Sequence, residues 1–99
     1  MNQPKVSVVI LNYNGKSWLE KFLPNVIQHT TYPNAEIIVA DNASTDDSVA
    51  FLQTNFPTIR LVINPINTGY AGGYNDALQQ IESDYYVLLN SDVEVTANW

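Results

Sequence analysis

Residues 85–94 read Tyr-Tyr-Val-Leu-Leu-Asn-Ser-Asp-Val-Glu, and this stretch decides the fold. Its first half, residues 85–89, is a short apolar run of the length expected for a strand that is buried on both faces. The polar residues Asn90, Ser91 and Asp92 follow without a spacer. A carboxylate in this place lies at the carboxyl end of an open α/β sheet, where such sheets bind their ligands. We therefore take Asp92 as a candidate ligand of a divalent metal ion that in turn holds a diphosphate.

Three similar strands precede this one, and an amphipathic helical pattern separates each strand from the next. The predicted strands cover residues 5–12, 36–40, 58–63 and 85–89. The predicted helices cover residues 16–30, 44–55 and 70–82. Connections of this length allow crossover helices, so the sheet is expected to be parallel and flanked by helices. We predict an α/β fold with the strand order 3-2-1-4, which places the topological switch point between strands 1 and 4.

Local signals also bear on the ends and faces of the helices. Ser44, with Asp47 three residues later, resembles a capping box, so the second helix is expected to begin at Ser44. Pro24 falls inside the first helix and is expected to kink or break it. Apolar residues at helical spacing predict the inner face of that helix. They are Trp18, Leu19, Phe22, Leu23, Val26 and Ile27.

The composition excludes several classes of function. The chain has 99 residues, so it forms one small domain or part of a larger one. A net charge of −6 argues against nucleic-acid binding, and the lack of cysteine excludes disulfides and thiolate metal sites. No apolar run is long enough to cross a bilayer and no signal peptide is visible, so we expect a cytoplasmic location, with membrane association of the full-length protein left open. An acidic protein needs a cation or backbone donors to bind an anionic ligand, which favours a metal-bridged phosphate.

Polar groups that can bind a ligand follow three of the four predicted strands. They are Asn12-Tyr13-Asn14, Asp41-Asn42 and Asn90-Ser91-Asp92. Each set alone could serve only to cap a local turn or helix. In the predicted strand order the first and third sets face one crevice, and Asp41 borders it. The carboxylates of Asp41, Asp92 and Glu94 would repel one another there unless a cation offset them, which favours Mg²⁺ or Mn²⁺.

A glycine-rich stretch, Asn67-Thr-Gly-Tyr-Ala-Gly-Gly-Tyr-Asn75, opens the third predicted helix. Its glycines either form a turn and allow close packing of helix on sheet, or leave room for a nucleotide at the helix N-terminus. The dinucleotide-binding fingerprint would have to follow strand 1, where only Gly15 occurs, and no P-loop sequence is present. The stretch therefore leaves both interpretations open.

Four motifs resemble, in order and spacing, the amino-terminal half of a family 2 glycosyltransferase of the GT-A fold. They are Val6-Ser-Val-Val-Ile-Leu-Asn-Tyr-Asn14, Glu36-Ile-Ile-Val-Ala-Asp-Asn-Ala-Ser-Thr-Asp46, Asn67-Thr-Gly-Tyr-Ala-Gly-Gly-Tyr-Asn75 and Tyr86-Val-Leu-Leu-Asn-Ser-Asp92. They cover essentially the whole chain, and they look most similar to the rhamnosyltransferase-like enzymes of bacterial surface-polysaccharide synthesis. The resemblance implies that residues 1–99 are the donor-binding half of a nucleotide-diphospho-sugar transferase (GT-A) domain whose acceptor half is absent.

The resemblance also implies which residues contact the nucleotide. Asp41 would accept a hydrogen bond from the base, in agreement with the N3–H of uracil or thymine. The other residues with an implied contact line the base and ribose pocket, close over the nucleotide or belong to the diphosphate loop. They are Asn12, Tyr13, Asn14, Asn67, Gly69, Asn75, Asn90 and Ser91. The donor is therefore expected to be a UDP- or dTDP-sugar.

Asn90-Ser91-Asp92 takes the place of the family's D-x-D motif, with Asp92 as the residue that binds Mg²⁺ or Mn²⁺. Asn90 stands where the motif has its first Asp. The rhamnosyltransferase-like enzymes show a similar variant, and the change lowers the local negative charge. In the family, the general base and the pocket for a glycan or lipid-linked acceptor lie in the second half of the domain. No catalytic residue is therefore assigned within this chain.

The expected function is that of a fragment of an inverting glycosyltransferase, and we predict that the 99-residue chain alone is inactive. One alternative is a sugar nucleotidyltransferase, although residues 12–16 are a poor version of its Gly-rich, basic loop. The other is a non-catalytic α/β binding module. Strand 4 would lie at the edge of the fragment although its apolar sequence is typical of a central strand, so we expect self-association through that edge.

Overall fold

The computed structural model describes residues 4–67 and 69–90, with the backbone alone at Tyr70. In chain order the elements are β1 (Val6–Asn12), α1 (Lys16–His29), β2 (Ala35–Asn42), α2 (Ser48–Asn55), β3 (Arg60–Asn64), α3 (Gly69–Leu78) and β4 (Tyr85–Asn90). All three strand pairs are parallel and the order is β3-β2-β1-β4, so the predicted topology is confirmed. The register places Asn12 beside Asp41, and Leu11 beside Asn90.

The sheet separates two apolar cores, because successive side chains of a strand point to opposite faces. One core lies under α1 and α2, on the face that we call the α1/α2 face. It consists of Val8, Ile10, Leu19, Leu23, Val26, Val39 and Leu52. The other core lies under α3, on the α3 face. It consists of Val9, Leu11, Ile38, Ala40, Val62, Ala77 and Ile81. The same alternation assigns Asn12 and Asp41 to the α1/α2 face, and Asn42 and Asn64 to the α3 face.

Helix α1 runs through Pro24 as one element, so the predicted break does not occur. Pro24 lies on the exposed side of the helix, where water can bond the carbonyl that proline leaves without a donor. Leu19, Leu23 and Val26 are buried as predicted, but Trp18 is 47% exposed. Among residues 4–67 and 69–90 no helix combines the length and apolar character that a membrane crossing requires.

The boundaries of the other helices differ from the prediction. Helix α2 begins at Ser48, so the predicted capping box at Ser44 is wrong. The Ser44 hydroxyl instead donates to Asp41, and the Ser48 N–H bonds to Asp46. Helix α3 ends at Leu78, four residues earlier than predicted. The residues that follow form a tight turn, in which the Ile81 N–H donates to the Leu78 carbonyl (3.3 Å).

Strand β4 pairs with β1 alone within the described part of the chain, which places it at the sheet edge. Val87 and Leu89 pack against the α1/α2 core. On the other face Leu88 is 46% exposed and Tyr86 is 38% exposed. Strand β4 was expected to be buried on both faces, and in the described residues it is not. It was also expected to lie at the edge of the sheet, and it does.

Candidate functional site

The carboxyl ends of β1, β2 and β3 carry polar side chains that are almost fully buried. Asn12, Asp41, Asn42 and Asn64 are each at most 2% exposed. A buried polar group is costly unless it is hydrogen-bonded, so four of them at one edge of the sheet must be held by partners. The alternation of the strands sorts them into two clusters, one on each face.

The first cluster is centred on the carboxylate of Asp41, on the α1/α2 face. Its Oδ1 accepts hydrogen bonds from Asn12 Nδ2 (3.0 Å) and Ser44 Oγ (2.7 Å). Its Oδ2 accepts the backbone N–H of Ser44 (2.9 Å). The groups of residues 4–67 and 69–90 that bond to this carboxylate are all donors. Each carboxylate oxygen can accept two hydrogen bonds, and these residues supply one to Oδ2, so a second acceptor position is left for a further donor.

Asn14 joins the loop after β1 to the loop after β2. Its Oδ1 accepts the backbone N–H of Thr45 (2.7 Å) and of Asp46 (3.1 Å). Its own backbone N–H donates to Ser44 Oγ (2.9 Å). The residue has a φ of 51°, in the left-handed region that asparagine tolerates better than most residues. The Asn14 side chain therefore holds the neighbouring loop, while Tyr13 beside it is 49% exposed and free to face a ligand.

Asp46 anchors the start of both helices on this face. Its Oδ1 accepts the Ser48 N–H (2.9 Å) at the start of α2, and its Oδ2 accepts the Lys16 N–H (3.3 Å) at the start of α1. Burial acts to raise the pKa of Asp46, but the hydrogen bonds from Ser48 and Lys16 outweigh it and hold this pKa below its ordinary value. The carboxylate also lies near two positive helix ends, which favours its charged form.

The second cluster is made of side-chain amides on the α3 face. Asn42 Nδ2 donates to Asn67 Oδ1 (2.9 Å) and to the Gly69 carbonyl (3.3 Å). Asn64 Nδ2 donates to Asn42 Oδ1 (3.3 Å) and to the Gly73 carbonyl (3.1 Å). Asn67 Oδ1 also accepts the Gly69 N–H (2.8 Å). The ends of β2 and β3 are thus joined to the first turns of α3.

Two glycines of α3, Gly69 and Gly73, are required for different structural reasons. Gly69 has a φ of 80°, a conformation that L side chains rarely adopt. Gly73 has an ordinary backbone, but a Cβ there would lie 2.9 Å from both Asn42 Nδ2 and Leu11 Cδ1. These findings support the first interpretation of the glycine-rich stretch, because Gly69 forms the turn and Gly73 allows close packing on the sheet. Room for a nucleotide at this helix end stays a prediction.

The end of β4 carries the described part of the predicted metal motif. The Tyr74 hydroxyl donates to the Leu89 carbonyl (2.6 Å) and lies 3.3 Å from Asn90 Oδ1, which fixes the strand end against α3. Ser91 and Asp92 lie outside the described residues, so their roles stay predictions. Within the ranges 4–67 and 69–90, no three acidic or histidine side chains are grouped so as to hold a metal ion.

The structure brings most of the predicted nucleotide residues to one edge of the sheet. Asn12 and Asp41 are in direct contact, Asn14 reaches the same loop, and Asn67 and Gly69 are joined through Asn42 on the other face. Asn75 lies on an exposed position of α3, apart from these clusters.

Ser44 and Asn64 were not among the predicted site residues, and Asn42 was named only with Asp41 among the polar residues that follow strand 2. The strand alternation that buries Val62 also buries Asn64, and that signal was present in the sequence.

The chain is similar to known glycosyltransferases. The family model described as "Glycosyl transferase family 2" matches residues 7–99. An uncharacterized glycosyltransferase of Haemophilus influenzae is 30% identical over 93% of this chain and 38% of its own length. The GalNAc(5)-diNAcBac-PP-undecaprenol beta-1,3-glucosyltransferase of Campylobacter jejuni is 32% identical over 93% of this chain and 31% of its own length.

A solved structure has the same architecture. The mannosyltransferase PcManGT from Pyrobaculum calidifontis, in complex with GDP-Man and Mn²⁺, superposes with a TM-score of 0.82 at 27% identity. The match covers 99% of this chain and 30% of that one. The chain thus spans about a third of the length of the relatives it matches. The predicted parallel GT-A sheet is confirmed by this likeness together with the strand order.

Proposed function

Because this chain belongs to glycosyl transferase family 2, we propose that it is the amino-terminal, donor-binding half of a glycosyltransferase domain. The full enzyme transfers a sugar from a nucleoside diphosphate to an acceptor hydroxyl with inversion. The observation that carries this proposal is the buried carboxylate of Asp41, held by Asn12 and Ser44 at the carboxyl edge of a parallel sheet. Such an edge, next to the switch between β1 and β4, is where α/β sheets bind nucleotides.

Asp41 recognises the base in this proposal. The free acceptor position of Oδ2 suits an imide N–H, such as the N3–H of uracil or thymine. Asn12 and Ser44 keep the carboxylate in place, and the exposed ring of Tyr13 flanks the base and ribose. A UDP- or dTDP-sugar is therefore the proposed donor. The structural relative holds GDP-Man, and since guanine N1–H is also a donor, GDP belongs in any test.

A divalent metal ion, Mg²⁺ or Mn²⁺, bridges the protein and the diphosphate in this proposal. Asp92 would supply its carboxylate, with Asn90 and Ser91 in the same loop. Support comes from the position of Asn90 at the end of β4, from the Mn²⁺ in the structural relative and from the net charge of −6, which favours a cation between protein and diphosphate. When bound, the metal would offset the negative charge that develops on the leaving diphosphate.

The general base and the acceptor pocket belong to the second half of the domain in this proposal. The name of the Campylobacter jejuni relative describes transfer to a lipid-linked glycan, which supports a lipid-linked or glycan acceptor in surface-polysaccharide synthesis. The Asn at position 90 supports the rhamnosyltransferase-like subgroup. Asn67, Gly69 and Asn75 belong to the segment that closes over the donor.

Calorimetric titration tests the donor site. UDP, dTDP and GDP are titrated with and without Mn²⁺ into the wild-type chain, Asp92→Ala and Asp41→Asn. We expect binding that needs Mn²⁺ and is at least about tenfold weaker in both variants, since each loses a charged contact. Asp47→Asn, which changes an exposed carboxylate at the start of α2, is the matched control. Binding that ignores both the metal and Asp92→Ala would refute the proposal.

A further inference from the structure

Two members of the amide cluster on the α3 face, Asn42 and Asn64, have no role in the donor site as proposed so far. Asn42 and Asn64 are buried beneath α3, on the side of the sheet away from Asp41. Asn64 Oδ1 makes no hydrogen bond within the described part of the chain. Both hydrogen bonds that Asn64 makes through its side chain in this part of the chain are donated by Nδ2.

Apart from the bond that Asn64 donates to Asn42, the bonds donated by these two side chains go to residues 67–73. Asn42 donates to Asn67 and to the Gly69 carbonyl, and Asn64 donates to the Gly73 carbonyl. We propose that Asn42 and Asn64 are positioning residues, which hold Asn67 and the first turn of α3 at the carboxyl edge of the sheet. They act on the donor through Asn67 and Gly69 without touching it. This inference rests on the proposed donor site.

Gly73 belongs to the same arrangement. The Gly73 carbonyl is a partner of Asn64, and a Cβ at Gly73 would collide with Asn42 Nδ2 at 2.9 Å. A larger residue would thus push α3 away from the amides or displace Asn42 from its bonds. The glycine lets the helix come close enough for both asparagines to reach its backbone.

The neighbours explain why position 41 is a carboxylate and position 42 an amide. Three donors surround the Asp41 carboxylate, and they come from Asn12 and Ser44. Acceptors surround Asn42 Nδ2, namely Asn67 Oδ1 and the Gly69 carbonyl. A charged carboxylate at position 42 would therefore face two oxygen atoms with no proton to share. The two adjacent side chains are isosteric, and each matches the polarity of its own face of the sheet.

Asn42→Asp tests the inference because it removes the donor and keeps the size. We expect the affinity for UDP with Mn²⁺, or for GDP with Mn²⁺ if that is the better ligand, to be about tenfold weaker at about pH 8, because the start of α3 is then less well held before the donor binds. Burial raises the pKa of the introduced carboxyl, so its protonated form regains a donor at about pH 5.5. The affinity relative to wild type should then recover on acidification.

Val62→Ala is the matched control. Val62 lies two residues before Asn64 on the same strand and the same face, and its truncation destabilises the α3 core without touching an amide. We expect this variant to lose a comparable amount of thermal stability, to bind within about threefold of wild type and to show no recovery at low pH. An affinity loss that is equal in the two variants, or independent of pH in Asn42→Asp, would overturn the positioning role.

Hydrogen exchange separates this inference from the proposed function. In the chain without nucleotide, Asn42→Asp should speed exchange in peptides that cover the start of α3 more than in β1, whereas Val62→Ala should not show this preference. If the wild type binds neither UDP nor GDP with Mn²⁺, the donor-site proposal fails and the exchange data still decide whether Asn42 holds α3. Unchanged exchange at the start of α3 refutes the inference.

Discussion

Asn14 carries the most specific prediction about the loops at this edge of the sheet. Asn14→Ala removes the oxygen that accepts the N–H groups of Thr45 and Asp46, and at about 1 kcal/mol for each net hydrogen bond this costs about 2 kcal/mol. The φ of 51° adds about 1 kcal/mol, because alanine is strained in the left-handed region. We expect the free energy of unfolding to fall by about 3 kcal/mol, a large fraction of the roughly 5–15 kcal/mol typical of a domain.

Two further variants separate these contributions. Asn14→Gly loses the same hydrogen bonds but tolerates the φ of 51°, so it should lose about 2 kcal/mol. Asn14→Asp keeps an acceptor oxygen and tolerates the same backbone, so it should stay within about 1 kcal/mol of wild type. Urea unfolding followed by far-UV circular dichroism gives all three values. If Asn14→Ala is as stable as wild type, or Asn14→Asp is as unstable as Asn14→Ala, Asn14 does not join the two loops.

Four other predictions follow from the structure. Because the folded-state pKa of Asp46 is lowered, the stabilisation that its carboxylate contributes is present above the unfolded pKa of about 3.8 and is lost as the pH falls through the folded pKa. The difference in free energy of unfolding between wild type and Asp46→Asn, measured in urea, should therefore be present at neutral pH and shrink in acid. Ala43 has a φ of 60°, so Ala43→Gly should raise the melting temperature, by relief of about 1 kcal/mol of strain. The exposed edge of β4 should allow the chain to associate, and Leu88→Lys should shift light-scattering masses toward the monomer, whereas a wild-type monomer at high concentration would contradict this. The 99-residue chain should show no sugar transfer from a nucleotide donor in a radiolabel assay, and turnover would place a general base within it.

The strand order could be predicted because apolar periodicity and connection length act locally and repeat along the chain. Each run from β1 to β4 is continuous and ends in a polar residue, and crossover helices leave few topologies. The start of α2 at Ser48 could not be predicted from the local pattern at Ser44, since the Ser44 hydroxyl bonds to Asp41 instead of capping the helix. The exposure of Trp18 was missed because three residues, Leu19, Leu23 and Val26, suffice for the buried stripe.

The candidate site was predicted in its sequence motifs but not in its supporting contacts. The predicted Asp41 and Asn12 proved to be neighbours because adjacent parallel strands align them. Asn64 follows the predicted strand 58–63 and was assigned no role, and its link to Asn42 depends on the β2–β3 register, which the sequence does not state. A polar residue that continues the buried side of a strand is the signal that would have identified it.

The two clusters together determine how a ligand would meet this edge. Asn14 ties the loop after β1 to the loop after β2, and Asn42 ties the end of β2 to Asn67 before α3. The described loops at this edge are therefore joined by hydrogen bonds from side chains that lie at or next to a buried strand end. Ordering a loop on binding costs free energy, and loops that are already held avoid that cost. If the proposed function holds, the affinity for the donor should depend on the contacts of Asp41 and of Asp92, and loss of Asn14 or Asn42 should weaken binding by loosening the loops that these two residues hold.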